Sequence, residues 1–355
     1  MSVRRSAFGG RLIAGRIIVA LAADEAYFPG LLTTVVSIVC STDPHTPLDF
    51  RVLDGGLRDG SWARLMRVAG RYGRDARFER IPVALERFSG FRRLFGSVMP
   101  YARLLLPALC PEERVIYVDT DILFLQDVRD LWAMSFDGKA AVASQDQIHW
   151  VLKADCPWLA QDDMTGDEPY FNSGLMLINL EEWRRACIAE QVMRLAEESS
   201  DRCAYADQTP LNFVLRGRVK LADVSWNRRP DKVVFPSDGS LPRVNIHYMA
   251  AKPWKKYSCA PGFAFWYAFH DAWRLAPSPA WVQYGLWLSR AKGALVHGMA
   301  RRRAGRLLLD RLAKWVGKGW DASWHKELDD GRTALARVVS RWREERSQRM
   351  AALSR

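Results

Sequence analysis

The chain has 355 residues, 49% of them hydrophobic, and a formal net charge of +12. That length and apolar content exclude a disordered chain and suit one large α/β domain with an appendage, or two modest domains. The charge is uneven, since residues 281–355 hold 17 Lys/Arg against 7 Asp/Glu and the preceding body is nearly neutral.

In chain order, arginines precede the apolar run IIVALAA, superficially like a secretion signal. The run is short and leads straight into Asp24 and Glu25, so it reads as a buried first strand over 17–22. A helix is expected over Tyr27–Val39, although Val35, Val36, Ile38 and Val39 also suit a strand. Met99–Leu109 reads as a helix carrying Arg103, after which Pro111 breaks the pattern. RVIYV at 114–118 is a buried strand with Asp119 and Asp121 beyond its carboxyl end, where ligand sites in open α/β sheets lie. Strands are expected at 138–143, at Phe171–Leu180 and at Val219–Val224, the last preceded by a helix over Asp207–Leu215. Ala-Pro-Ser-Pro at 276–279 marks a boundary, giving a body over 1–275 and a basic extension over 276–355. No stretch of about 18 apolar residues free of charge is present to span a membrane. Cys40, Cys110, Cys156, Cys187, Cys203 and Cys259 show neither CxxC nor zinc-finger spacing, so they read as reduced thiols of a cytoplasmic or cytoplasm-facing protein.

The acidic pair carries the first chemistry. On an extended backbone, Asp119 and Asp121 face the same side and reach one cation. Carboxylate oxygens suit Mn²⁺ or Mg²⁺, which neutralise a diphosphate and make it a better leaving group. The ordinary alternative is a solvated acidic turn. His247, in VNIHYMA, offers a third ligand, or else satisfies a core hydrogen bond; Lys252, in AKPW, offers a diphosphate contact. The absence of HExxH or a dense Cys/His motif weighs against a zinc hydrolase.

Four further segments sharpen the reading: YARLLLP at 101–107, RVIYVDTDILFLQDVRDLW at 114–132, YFNSGLMLINLEEWR at 170–184 and DQTPLNFVL at 207–215. With IIVALAADEAYFPG at 17–30 and NIHYMAAKPW at 245–254, the chain resembles family 8 of the glycosyltransferases, which includes bacterial lipopolysaccharide glucosyl- and galactosyltransferases and glycogenin-like enzymes. The basic tail lies outside this resemblance. What it implies is a GT-A fold, a Rossmann-like mixed α/β sheet flanked by helices, with a UDP-sugar donor, a saccharide acceptor, Mn²⁺ or Mg²⁺, and retention of anomeric configuration. By similarity Asp24 and Tyr27 hold the nucleotide, Arg103 faces the donor, and Asp119, Asp121 and His247 bind the metal. Asn172 contacts the donor sugar, Asp207 and Gln208 lie beneath the reacting sugar, and Lys252 meets the diphosphate. Asp146 matches a sugar-binding aspartate through a looser alignment.

Four assignments have a structural counterpart in the residue chemistry: Asn172 fixing a turn before Gly174, Arg103 as an exposed helix charge, Tyr27 in the core, Asp207 as a helix cap. The chain departs from the family pattern at Thr209, where a second acid is common, and at Ala250 and Ala251, where a glycine is common between HY and KPW. UDP-glucose and UDP-galactose are the expected donors, and a cell-envelope or lipopolysaccharide-core oligosaccharide is the expected acceptor. The basic 281–355 segment is expected to contact the anionic cytoplasmic face of the inner membrane, with a solvated helical extension as the alternative; no nucleic-acid motif is present. A metal-assisted phosphohydrolase and a non-catalytic carbohydrate-binding protein are the competing functions.

Overall fold

The computed structural model describes residues 15–70, 75–156, 166–233, 242–249 and 252–254, with Trp266 and Phe269. The boundary expected near 275, the basic extension, and Ala250 and Ala251 lie outside the described residues. The strands are β1 (Ile17–Ala23), β2 (Leu48–Asp54), β3 (Ala76–Pro82), β4 (Arg114–Val118), β5 (Ile122–Leu123), β6 (Ala141–Gln145), β7 (Phe171–Asn179), β8 (Val219–Ala222) and β9 (Ile246–His247). Seven form one sheet in the order β3-β2-β1-β4-β7-β6-β8, while β5 and β9 make a separate antiparallel ribbon. From β3 through β4 the strands are parallel. β7 then runs antiparallel to both β4 and β6, and β8 parallels β6.

This mixed sheet is the Rossmann-like GT-A architecture expected from the sequence. Its directions explain the site. The carboxyl ends of β1, β4 and β6 lie at one edge, and because β7 is reversed its amino end lies there too. Asp24, Asp119 and Asp146, which follow those three strands, and Asn172, near the start of β7, therefore meet at one rim.

The helices are α1 (Phe28–Ser41), α2 (Asp59–Gly70), α3 (Leu106–Leu109), α4 (Val128–Trp132), α5 (Leu152–Asp155), α6 (Leu180–Arg185), α7 (Ile188–Glu198) and α8 (Gln208–Val214). Alternation along β1 sends Val19 and Leu21 to one face, where Leu31, Val35 and Val39 of α1 cover them. Ile18, Ala20 and Ala22 go to the other face, which also buries Trp183, Val192 and Leu211 of α6, α7 and α8. All seven residues of β1 are buried, so the strand reads as a continuous apolar run without polar alternation. Each fully buried Val or Leu contributes about 1.5–3 kcal/mol.

The β-branched run over 35–39 is helical because a parallel β1–β2 connection needs a crossover. Pro29 starts that helix, and Thr33 Oγ1 and Ser37 Oγ bond back to the Pro29 and Thr34 carbonyls, both at 2.8 Å. Met99–Leu105 is a 3₁₀ helix rather than the expected α-helix, with only α3 continuing it. Pro107 has no N–H to give the Arg103 carbonyl in the α pattern, and the Leu106 N–H bonds that carbonyl instead. The strand expected at 138–143 begins at Ala141, because Asp137 and Gly138, at φ 48° and 76°, form a turn first. The sequence pattern places no element over 48–82, yet β2, α2 and β3 occupy it. Charges on β2 mask its strand character, since Arg51 pairs with Asp49 on its own strand, with Glu79 on β3 and with Glu112 ahead of β4.

Candidate active site

β4 ends at Val118, and Asp119–Asp121 form a turn in which the Ile122 N–H donates to the Asp119 carbonyl at 3.3 Å. The two carboxylates thus converge through a turn, not through the alternation of an extended strand. The Asp119 N–H donates to the Gly174 carbonyl at 2.7 Å, which ties the turn to β7. The distant His247 arrives because β5 pairs with β9, placing Ile122 opposite His247, and the Tyr248 N–H donates to the Asp121 carbonyl at 3.0 Å. One ligand atom from each of Asp119, Asp121 and His247 lies within 4.8 Å of the others.

Three features of this cluster fit a divalent cation. Asp121 Oδ1 is buried without a hydrogen-bond partner, 3.1 Å from His247 Nε2. His247 Nδ1 faces Asn227 Oδ1 at 2.8 Å, so a neutral ring donates there and turns the Nε2 lone pair toward the carboxylates. Facing lone pairs at that separation repel unless a cation lies between them. Space is kept open by Gly174, where an added Cβ would stand 2.3 Å from His247 Cε1 and 2.8 Å from Asp119 Oδ2. Burial pushes the Asp121 carboxyl up, but Lys252 and His247 beside it outweigh burial and hold it well below the usual carboxylate range.

Two cations frame the cluster. The Arg103 guanidinium is buried, 4.1 Å above the Tyr117 ring, and its N–H groups go to the Pro100 and Ser173 carbonyls and, at 2.9 Å, to Asp119 Oδ1. Its Nε is also 2.9 Å from Asp207 Oδ2, but that N–H is aimed at Pro100, so the contact is an ion pair and Oδ2 keeps an unfilled acceptor position. Arg103 is accordingly not an exposed helix charge. Lys252 is buried as well, donating to Asp121 Oδ2 and to the Tyr248 and Met249 carbonyls.

Across the rim, Asp146 Oδ1 accepts the Ile148 and His149 N–H groups at 2.7 and 2.9 Å, and its Oδ2 accepts Asn172 Nδ2 at 2.9 Å and Gln208 Nε2 at 3.4 Å. Gln208 Oε1 accepts the Ser173 N–H at 3.0 Å. Asp207 precedes α8 but makes no side-chain cap; it is 2% exposed, its carboxyl pushed up to about 7 by burial against the opposing charge of Arg103. Asp24 does cap, accepting the Tyr27 N–H at 3.1 Å, and the Tyr27 ring meets Trp254 edge-on. Burial, then the charges of Asp121, Asp24 and Asp119, raise the Tyr27 hydroxyl pKa. All of Asp24, Tyr27, Arg103, Asp119, Asp121, Asp146, Asn172, Asp207, Gln208, His247 and Lys252 line one cavity of about 410 Å³.

The sequence profile of glycosyl transferase family 8 matches residues 18–258. The chain belongs to that family. It is 25% identical over 279 residues to general stress protein A of Bacillus subtilis, covering 73% of this chain and 95% of the relative. Over 265 residues it is 23% identical to the lipopolysaccharide 1,2-glucosyltransferase of Escherichia coli, covering 70% and 75%. Among solved structures, the galactosyltransferase LgtC in complex with donor and acceptor sugar analogues superposes with a TM-score of 0.62 at 27% identity, covering 76% of this chain and all of that one.

In and behind this family 8 cavity stand residues the sequence did not flag. Asn227 holds His247, Ser173 offers its backbone to both Arg103 and Gln208, and His149 lies between the rings of Tyr170 and Tyr205 at 5.8 and 4.8 Å. Phe95 and Ile148 line it while remaining 60% and 51% exposed. The signal available was weak: Asn227 follows a tryptophan in an irregular stretch, and nothing local shows that β9 runs beside it. Among the described residues, no helix is long and apolar enough to cross a membrane.

Proposed function

We propose that this family 8 member is a retaining hexosyltransferase that moves glucose or galactose from a UDP-sugar to a cell-envelope or lipopolysaccharide-core saccharide. Asp119, Asp121 and His247 would hold Mn²⁺ or Mg²⁺, which when bound supplies positive charge to the departing diphosphate. The observation that carries the reading is that this Asp/Asp/His cluster opens into the same cavity as Tyr27, Asn172, Gln208 and Lys252. The names borne by the E. coli relative and by LgtC support the hexose and the acceptor class.

In this reading Tyr27 gives the base an aromatic face, and Asp24 fixes the turn that presents it. Lys252 places its ammonium at the diphosphate. Arg103 acts by holding Asp119 and Asp207 in place. Asn172 and Asp146 sort the sugar hydroxyls by donor and acceptor pattern. The acceptor oxygen forms its bond to the anomeric carbon on the face from which UDP departs; the carbon–phosphate-oxygen bond breaks, and the hydroxyl proton passes to the leaving phosphate. Gln208 lies beneath that carbon, a poor covalent nucleophile whose amide oxygen stabilises developing positive charge there. The segment 281–355 is assigned to an anionic membrane surface beside the acceptor, and its vesicle binding is expected to weaken as salt rises from roughly 0.05 to 0.5 M.

The test is transfer from UDP-glucose and UDP-galactose to a saccharide acceptor with and without Mn²⁺, with the product's anomeric configuration read by NMR. Metal-dependent transfer with retention is expected. Inactivity with every nucleotide sugar and divalent ion tried would sink the reading, and hydrolysis indifferent to acceptor would replace it with a phosphohydrolase.

A further inference from the structure

Asn227 is 1% exposed and reaches the cluster through the backbone: the Arg228 N–H donates to the Asn245 carbonyl and the His247 N–H to the Arg228 carbonyl, both at 2.9 Å. Residues 227–228 therefore run alongside β9, on the side away from β5. The Asn227 side chain then bridges two others. Its Oδ1 lies 2.8 Å from His247 Nδ1, and its Nδ2 donates to Asn172 Oδ1 at 2.8 Å. Asn172 Nδ2 in turn donates to Asp146 Oδ2 at 2.9 Å.

The direction of this chain of bonds is fixed from one end. The Gly174 N–H also meets Asn172 Oδ1, at 3.0 Å, and a backbone amide only donates, so the Asn172 atom there is oxygen. Asn227 must therefore present its NH₂ group to Asn172 and its oxygen to His247. His247 must carry hydrogen on Nδ1. In the neutral ring the Nε2 lone pair then points at Asp121 Oδ1 and Asp119 Oδ2, 3.1 and 3.8 Å away.

We propose that Asn227 is a positioning residue that sets the tautomer and ring orientation of His247 for metal binding, and that through Asn172 it joins this ligand to the sugar end of the cavity. The inference rests on the reading of Asp119, Asp121 and His247 as the metal site. Asn227 touches neither metal nor sugar; it acts on residues that do.

Two variants separate its two bonds. Asn227→Leu keeps the size and loses both, whereas Asn227→Asp still accepts from His247 Nδ1 but has no hydrogen for Asn172. The first readout needs neither Asn227 variant nor metal: ¹⁵N NMR of the imidazole, assigned against His247→Gln, is expected to show hydrogen on Nδ1 of the neutral ring. The second is Mn²⁺ binding to the full chain without nucleotide sugar, by calorimetry. Asn227→Leu is expected to weaken Mn²⁺ roughly 10–100-fold, the usual scale for losing the partner of a metal-bound histidine. Asn227→Asp is expected to restore Mn²⁺ affinity to within about threefold of wild type, while raising KM for the UDP-sugar more than it lowers kcat. Hydrogen on Nε2 in the wild-type ring, or equal loss of Mn²⁺ in both variants, overturns the proposal. A wild-type chain with hydrogen on Nδ1 that binds no Mn²⁺ supports the relay and sinks the metal reading instead.

Discussion

The two halves of the sheet reach the cavity with different chemistry. From the parallel half, the turn after β4 sets Asp119 and Asp121 side by side, and their charge is met by Arg103 and Lys252. From the antiparallel half, β6 and β7 bring Asp146 and Asn172, and there the one carboxylate is saturated by backbone N–H groups and by the amides of Asn172 and Gln208. Concentrated charge on one side leaves a buried oxygen of Asp121 without a partner, while on the other both oxygens of Asp146 are held by hydrogen-bond donors. The first arrangement suits a cation and a diphosphate, the second a sugar.

The largest effect is expected on the charged side. Asp121→Asn keeps the shape but halves the anionic ligands, and kcat for transfer is expected to fall on the order of 10³, the scale lost when charge stabilisation is removed from a reacting site. Near-wild-type transfer by a folded Asp121→Asn chain would erase the distinction between the halves. Next comes Arg103→Met, which strands Asp119 and Asp207 without their buried cation. Breaking a buried pair in this way costs about 3–5 kcal/mol, read as a drop in stability by denaturant unfolding.

The Arg103→Met loss carries a pH signature. The Asp207 carboxyl is pushed up to about 7, above its unfolded value, so the folded chain binds more protons than the unfolded one from about pH 4 to about 7. Stability assigned to this group is therefore whole below that window and declines as pH rises through it. Removing Arg103 takes away the charge that opposes burial, so the decline extends to higher pH. The gap between wild type and Arg103→Met is expected to be wider at pH 8.5 than at pH 5.5, and a gap that narrows with pH would show that Asp207 is not the group left stranded.

At the seam between the halves, Gly174→Ala is expected to weaken Mn²⁺ roughly 10–100-fold with the fold retained, comparable to the loss of a ligand's support. The added methyl would press on His247 Cε1 at 2.3 Å and on Asp119 Oδ2 at 2.8 Å, and neither can retreat, since Asn227 holds the ring and Arg103 the carboxylate. Unchanged Mn²⁺ affinity would mean that β7 does not form a wall of the metal site.

The same contrast governs what could be read from the residues alone. Asp119 and Asp121 stand next to an unmistakable apolar run, and the order of the quoted segments carried the fold and the cavity-lining set. The turn that converges the pair was hidden, because YVDTD alone is equally compatible with an extended end. On the amide side the information is non-local. Asn227 has meaning only once the short β9, pairing with β5, lies beside it, and no spacing in the chain encodes that register. The helical pattern alone left a surface charge open for Arg103 beside the donor-facing role that the resemblance implied, and its burial goes with a 3₁₀ path that the pattern does not show. Charged strand faces hid β2 for a related reason: ion pairs across neighbouring strands make polar residues compatible with the sheet.

Thr209 provides the smallest test, and it bears on the departure from the family pattern. Where relatives commonly carry a second acid, this threonine is 1% exposed and its Oγ1 accepts the Tyr205 N–H at 3.1 Å, closing the turn that leads into α8. A hydroxyl supplies the acceptor this turn needs without placing another carboxylate beside the buried Asp207. Thr209→Ala is therefore expected to cost about 1 kcal/mol, the worth of an ordinary hydrogen bond, with a further part from the stranded amide. Thr209→Ser should recover most of it, and donor KM should stay within about threefold of wild type in both, because among the described residues no hydrogen bond joins Thr209 to the side-chain amides of Asn172 and Gln208. A loss of transfer that exceeds the loss of stability would move Thr209 from the scaffold of α8 into the sugar floor, and would extend the sugar-binding side of the cavity beyond Asp146, Asn172 and Gln208.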